Sequence, residues 1–281
     1  MKHILLPTDF SENSWNAISY AINLFKDETC TFHLLNNYMP MVYNVEYVLG
    51  YPAQFGLVDA MRNSSQVNLE SLIKRIDKQF KNNPKHSFDT SLSLDNLVSG
   101  IQEFILKRPV NLIIMGTKGA TGAKEVLFGT NTVDVFQKVK CPTLAIPSGF
   151  QFEPLKDLLF PTDLEVPFKN TELEIVADLV KKHKSKIHAL HILTGTNVTL
   201  TQARNKLELE SLFEELPFVY HEINNDSVTD GINSFQKDNK INVLIMCNNK
   251  HSFFENILFK SKVKQIGFHI QIPFLVIHSK N

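Results

Sequence analysis

The segment Ile4-Leu5-Leu6-Pro7-Thr8-Asp9-Phe10 returns 154 residues later as Leu158-Leu159-Phe160-Pro161-Thr162-Asp163-Leu164. A chain that writes the same strand-and-turn signature twice is restricted to architectures built from two like units. Phe32-His33-Leu34-Leu35 returns as Ile187-His188-Ala189-Leu190 at a shift of 155. Three later pairs share a shift of 131: Gly100-Ile101 with Gly231-Ile232, Asn111-Leu112-Ile113-Ile114-Met115 with Asn242-Val243-Leu244-Ile245-Met246, and Cys141-Pro142 with Ile272-Pro273. The change of shift puts about 23 extra residues in the first copy, between its second and third strands. One duplicated domain accounts for the whole pattern, with copies over 1–148 and 153–281 and a linker near Pro147-Ser148-Gly149-Phe150.

Within the first copy, apolar runs predict strands over 2–6, 31–35, 87–92, 111–115 and 143–146. Ser11 is an N-cap residue with Glu12 in the first turn, and Trp15, Ile18, Ile22 and Phe25 give the helix that follows its buried stripe. Further helices are predicted around Leu69, Leu72, Ile76 and Phe80, over 99–106, and over 131–139. Strands that alternate with helices, several of them apolar throughout, predict an α/β class: two tandem five-stranded, mostly parallel sheets flanked by helices, Rossmann-like in plan. Ligands of such open sheets sit beyond the carboxyl ends of the strands. The first strand ends at Pro7-Thr8-Asp9 and the fourth at Gly116, so both features point to one crevice.

Gly116, Gly119 and Gly129-Thr130 lie between the fourth strand and the next helix. Glycines there let backbone N–H groups approach an anion, and the helix start adds unpaired N–H groups and a positive dipole end. A phosphate-bearing ligand is the natural guest; the plainer alternative is that these glycines only make turns. The spacing is neither a Walker A loop nor a dinucleotide G-x-G-x-x-G. The pattern G-x2-G-x9-G-[S/T], after the fourth strand of a unit that opens with a Pro-Thr-Asp turn, resembles the universal stress protein family. The duplication resembles its tandem-domain members.

That resemblance implies an adenine-nucleotide alpha-hydrolase-like fold and a cytoplasmic, regulatory stress protein that binds ATP, with or without Mg2+, in its first domain. It matches Asp9 to an acid near the adenosine, with Pro7 and Thr8 shaping the turn. Asn37 falls where the family offers backbone to adenine, a place that is usually aliphatic. Met115 and Gly116 match positions lining the ribose. Gly119, Gly129, Thr130 and Asn131 match the phosphate cradle, and Thr132 adds a second hydroxyl. Asp9 has an alternative as a cap or turn residue, which its copy Asp163 favours; Lys118 and Lys124 read better as solvated lysines than as phosphate ligands. At a shift of 131 the second copy has Cys247, Lys250, Lys260 and Ser261 for Gly116, Gly119, Gly129 and Thr130. Side chains there stand where phosphate would meet bare backbone, so one nucleotide per chain is expected, in the first domain.

The extra segment 38–64 carries Tyr38, Tyr43, Tyr47, Tyr51 and Phe55. It reads equally as a lid over the base and as a patch covering the second domain. Net charge is zero, from 29 basic and 29 acidic side chains, which gives no footprint for nucleic acid or an anionic membrane. No run approaches a membrane span, and three widely spaced cysteines form no disulfide or zinc framework. His188 and His191 lie three apart on a strand, face opposite sides and share no metal. Against the binding reading stand a slow ATPase or phosphotransferase in the same pocket, for which no dedicated acidic pair is evident, and an AMP or adenosine sensor. The strands at 143–146 and 274–277 are short apolar edges that could pair within one chain as an intramolecular pseudo-dimer; a homodimer of that unit is compatible with the sequence.

Overall fold

The computed structural model describes residues 1–39, 53–117, 128–195, 198–248 and 271–278. In the first copy the elements run β1 (Lys2–Pro7), α1 (Glu12–Leu24), β2 (Cys30–Asn37), α2 (Ala53–Phe80), β3 (His86–Ser93), α3 (Leu97–Lys107), β4 (Leu112–Gly116), α4 (Thr130–Lys138) and β5 (Thr143–Ile146). The second copy follows with β6 (Asp157–Pro161), α5 (Asn170–His183), β7 (Lys186–Leu193), α6 (Leu200–Leu212), β8 (Phe218–Asn224), α7 (Val228–Asp238), β9 (Val243–Asn248) and β10 (Phe274–His278). Predicted strands and observed strands agree to within one or two residues at each end; the apolar runs β1, β2, β4 and β5 are the buried ones, and β3 is only half-buried.

The ten strands form one continuous sheet in the order β3-β2-β1-β4-β5-β10-β9-β6-β7-β8. Neighbours within each copy run parallel; β5 and β10 run antiparallel, with Phe274 opposite Ala145, Leu275 opposite Leu144 and Val276 opposite Thr143. The two five-stranded halves therefore share a seam. Leaving those fully buried edge residues unpaired would strand their amides and carbonyls away from water.

Side chains alternate across the sheet as strand period requires. Ile4, Leu6, Ile114 and Leu144 join Leu158, Phe160, Ile245 and Leu275 in one core that α1, α2, α5 and α6 cover across both halves. On the opposite face the first half has its own core, with Leu5, Ile113 and Met115 under Ile101, Phe104 and Val135. The second half's core there includes Phe128 and Phe136 from the first half. Those two rings form a triad with Phe274, at centroid distances of 5.3 to 5.6 Å. The Phe136 carbonyl accepts from Asn248 Nδ2 and His278 Nε2, each at 2.9 Å. Helix α4 is thus anchored in the second half.

Lys2, Glu28, Asp178 and Lys182 close a ring of ion pairs between the halves, with Lys2–Glu28 at 3.1 Å and Lys182–Asp178 at 3.2 Å. The linker is held as well, since the Phe150 and Phe152 rings lie against Tyr20. Part of the first copy's extra length goes into α2, 28 residues long against 13 in α6. Among its described side chains, from 56 onward, the buried positions begin at Ser65. Tyr43, Tyr47 and Tyr51 lie outside the described residues, as does any lid they form. No described helix is long and apolar enough to cross a membrane.

Candidate functional site

The first half has a cleft of about 460 Å³ beyond the carboxyl ends of β1 and β4. Pro7, Thr8, Asp9, Asn37, Met115, Gly116, Asn131 and Thr132 line it, so eight of the sequence-predicted residues meet there. Gly129 and Thr130 stand at the start of α4 without lining the cleft, and Gly119 lies outside the described residues, as do Lys118 and Lys124. The sequence reading missed Ser14, Met39, Asp95, Asn96 and Leu97, which also line it. The last three form the start of α3, and the capping pattern of Asn96 with Ser99 was the available signal.

Most polar side chains at this cleft are committed to the chain itself. The Asp9 carboxylate accepts from the Ser11 amide at 3.1 Å and from the Ser11 hydroxyl at 2.5 Å. Thr8 Oγ1 accepts from the Phe10 amide at 3.0 Å and lies 3.0 Å from Ser14 Oγ, which donates to the Ser11 carbonyl. These bonds hold Phe10 in the left-handed region at φ 63. The second half repeats the turn: Leu164 has φ 57, Thr162 accepts from its amide, and Asp163 accepts from that of Glu165. The persistence of the acid in both halves has a structural cause in this turn. Thr132 is buried and donates to the Gly116 and Thr117 carbonyls at 3.2 and 3.1 Å, so its hydroxyl proton staples β4 to α4. The glycine at 116 is a packing requirement as well: a Cβ there would come within 3.0 Å of the Asn13 carbonyl.

Asn37 Oδ1 is buried there with no hydrogen-bond partner, and the backbone at the start of α4 is open as well. The Gly129 amide donates to the Thr117 carbonyl at 2.7 Å. Thr132 and Val133 donate to the Gly129 carbonyl, and the Thr130 and Asn131 amides have no acceptor among the described residues. Helices α1, α3, α6 and α7 each have a side-chain oxygen on an N-terminal amide, and in α5 the Glu172 carboxylate accepts from the cap amide. Gly129 supplies no such cap to α4. An uncapped positive helix end beside the crevice has the chemistry to hold an anion.

The counterpart crevice in the second half is about 180 Å³. Gln202 of α6 walls it, donating to the Asp163 carbonyl at 3.0 Å and to Glu165 Oε1 at 3.1 Å. Cys247 occupies the place of Gly116, while Lys250, Lys260 and Ser261 lie outside the described residues. Asn37 of the first half is replaced by Ile192. Each rests on its facing glycine: a Cβ at Gly100 would fall 1.9 Å from Asn37 Nδ2, and one at Gly231 would fall 3.0 Å from Ile192.

The sequence reading also missed two stacked histidine pairs. His3 Nδ1 lies 3.1 Å from His33 Nε2, and His33 Nδ1 lies 3.2 Å from Asp89. In the second half His188 Nδ1 lies 3.0 Å from His221 Nε2, and His188 Nε2 lies 2.9 Å from Asp157. Their partners are some 30 residues away in sequence, so no local spacing reveals them. No metal-binding group of three such side chains occurs among the described residues. Cys30, Cys141 and Cys247 are free and buried. Burial pushes the Cys30 thiol up to about 11 and the Cys141 thiol up to about 12, away from nucleophilic duty.

The universal stress protein family model matches residues 1–147. Two universal stress proteins of Methanocaldococcus jannaschii are similar over about that region. One is 27% identical over 149 residues, spanning 52% of this chain and 81% of its own length. The other is 29% identical over 156 residues, spanning 52% of this chain and 94% of its own. The crystal structure of a universal stress protein from Archaeoglobus fulgidus superposes with a TM-score of 0.68 at 17% identity, covering 98% of this chain and 97% of its own. That likeness covers both halves of the fold.

Proposed function

We propose, from the premise that this chain belongs to the universal stress protein family, that its first cleft binds an adenine nucleotide, with ATP the principal ligand, and that occupancy is the output. The carrying observation is α4, whose uncapped N-terminus stands at the end of β4 beside a cleft of a size that takes small ligands. Phosphate oxygens complement the Thr130 and Asn131 amides there, and the apolar Met115 and Leu97 suit a ribose and base.

A binding role is favoured over turnover by the committed state of the side chains. Phosphoryl transfer wants a positioned base, and the Asp9 carboxylate already accepts two bonds from Ser11. Three free, buried thiols accord with a reducing compartment, so the cytoplasm goes with this reading. Calorimetric titration with ATP, ADP and AMP, with and without Mg2+, tests it. One nucleotide per chain is expected; two equivalent sites, or no binding, would overturn the proposal.

A further inference from the structure

Among the described residues that line the first cleft, Asn37 alone holds a buried side-chain polar atom without a hydrogen-bond partner, its Oδ1. The other end of the amide is committed. Asn37 Nδ2 donates to the Asn96 carbonyl at 3.4 Å, and that carbonyl also accepts from the Gly100 amide at 3.0 Å. Turning the amide over would set Oδ1 against another acceptor, so the nitrogen belongs on the Asn96 side. Gly100 gives the side chain its room on α3. The oxygen is the end left for a ligand. A buried acceptor without a partner raises the energy of the empty protein, and a ligand N–H that reaches it recovers that cost.

Position decides which part of a nucleotide brings that N–H. The strand order β2-β1-β4 puts Asn37 two strand spacings, roughly 10 Å, from β4 and the phosphate end at α4. A nucleotide with its phosphates on α4 therefore presents its base to Asn37. A 6-aminopurine offers an amino group there, whereas a 6-oxopurine offers a carbonyl oxygen that an acceptor repels. Resting on the nucleotide reading above, we propose that Asn37 Oδ1 accepts from the exocyclic amino group of a 6-aminopurine and is the residue that selects that base. The second half has Ile192 at this place, packed on Gly231, and offers no acceptor. A site built around a hydrogen bond discriminates against an analogue that lacks the matching group.

The test is a calorimetric titration of the full chain with ATP, ITP and the triphosphate of purine riboside, which lacks the amino group and puts nothing in its place. ATP is expected to bind about tenfold more tightly than purine riboside triphosphate, the worth of one hydrogen bond. ITP should bind no more tightly than purine riboside triphosphate. In Asn37→Ala the ratio of the first two affinities should fall to about one, and the same collapse is expected in Asn37→Leu, which keeps the bulk. A merely structural role would weaken both ligands alike and leave their ratio unmoved. Equal affinities for ATP and purine riboside triphosphate in the wild type, ITP binding as tightly as ATP, or an unchanged ratio in either variant would overturn the proposal and leave the nucleotide site standing. Failure of all three to bind would overturn the nucleotide reading and this proposal with it.

Discussion

The Gly129 amide donates to the Thr117 carbonyl at 2.7 Å, so residues twelve apart in sequence meet at one hydrogen bond. This bond makes a neck between the end of β4 and the start of α4. Thr132 tightens it with its hydroxyl on the Gly116 and Thr117 carbonyls.

Thr132→Val keeps the shape of the side chain and removes the hydroxyl that donates to both carbonyls, of which Thr117 keeps the Gly129 amide. Urea denaturation should show a loss of about 1–3 kcal/mol, the cost of an unsatisfied buried polar group. A variant as stable as the wild type would mean that the neck is held by the Gly129 bond alone.

Gly116→Val should lower ATP affinity by at least about tenfold, equivalent to ~1.4 kcal/mol. The added side chain presses on the Asn13 carbonyl, 3.0 Å from the nearest Cβ position, and narrows the cleft between β4 and α1. Calorimetry on a variant with an unchanged circular dichroism spectrum is the measurement. Unchanged affinity would put the nucleotide elsewhere.

Stability should fall as the solution is acidified. Burial holds His33, His183, His221 and His278 below the usual 6.5, with Asp89 opposing it at His33 and the Phe136 carbonyl at His278. Below pH of about 6.5 the unfolded chain takes up protons at these positions before the folded one does. The stabilisation is therefore complete above that pH and is lost as pH falls through the folded values. Melting temperature followed from pH 7.5 to pH 5 should decline, and His33→Asn should flatten part of the decline.

Phe274→Ala should cost about 3–5 kcal/mol, as for other large core truncations. Phe274 touches Phe128 and Phe136 across the seam, so the loss should reach the first half as well. We expect ATP affinity to weaken in this variant even though residue 274 is remote from the cleft. Calorimetry that found it unchanged would show that α4 does not need its anchor.

The sequence carried the central strands because they are runs of apolar residues, and it carried the likeness of the two halves because Pro-Thr-Asp and its neighbours repeat. It located the cleft for the same reason: Pro7, Thr8, Asp9 and Gly116 sit at strand ends, and strand ends can be read locally. It could not assign Thr8, Asp9 and Thr132 their hydrogen bonds, because each partner depends on how the turn closes in space. Asn96 and Leu97 escaped since they reach the cleft only after β3 pairs with β2. Gln202 was invisible: it sits in a helix with little amphipathic character, and its amide becomes a wall only when α6 docks against the β6 turn. The tyrosines of the extra segment lie outside the described residues.

The antiparallel pairing of Leu275 with Leu144 has an evolutionary meaning. When identical subunits meet about a twofold axis, any substitution is suffered twice, once on each side. Here two similar halves meet inside one polypeptide, and a mutation on one side leaves the other untouched. One half can then carry Cys247 where the other carries Gly116 without losing the contact that holds the pair together.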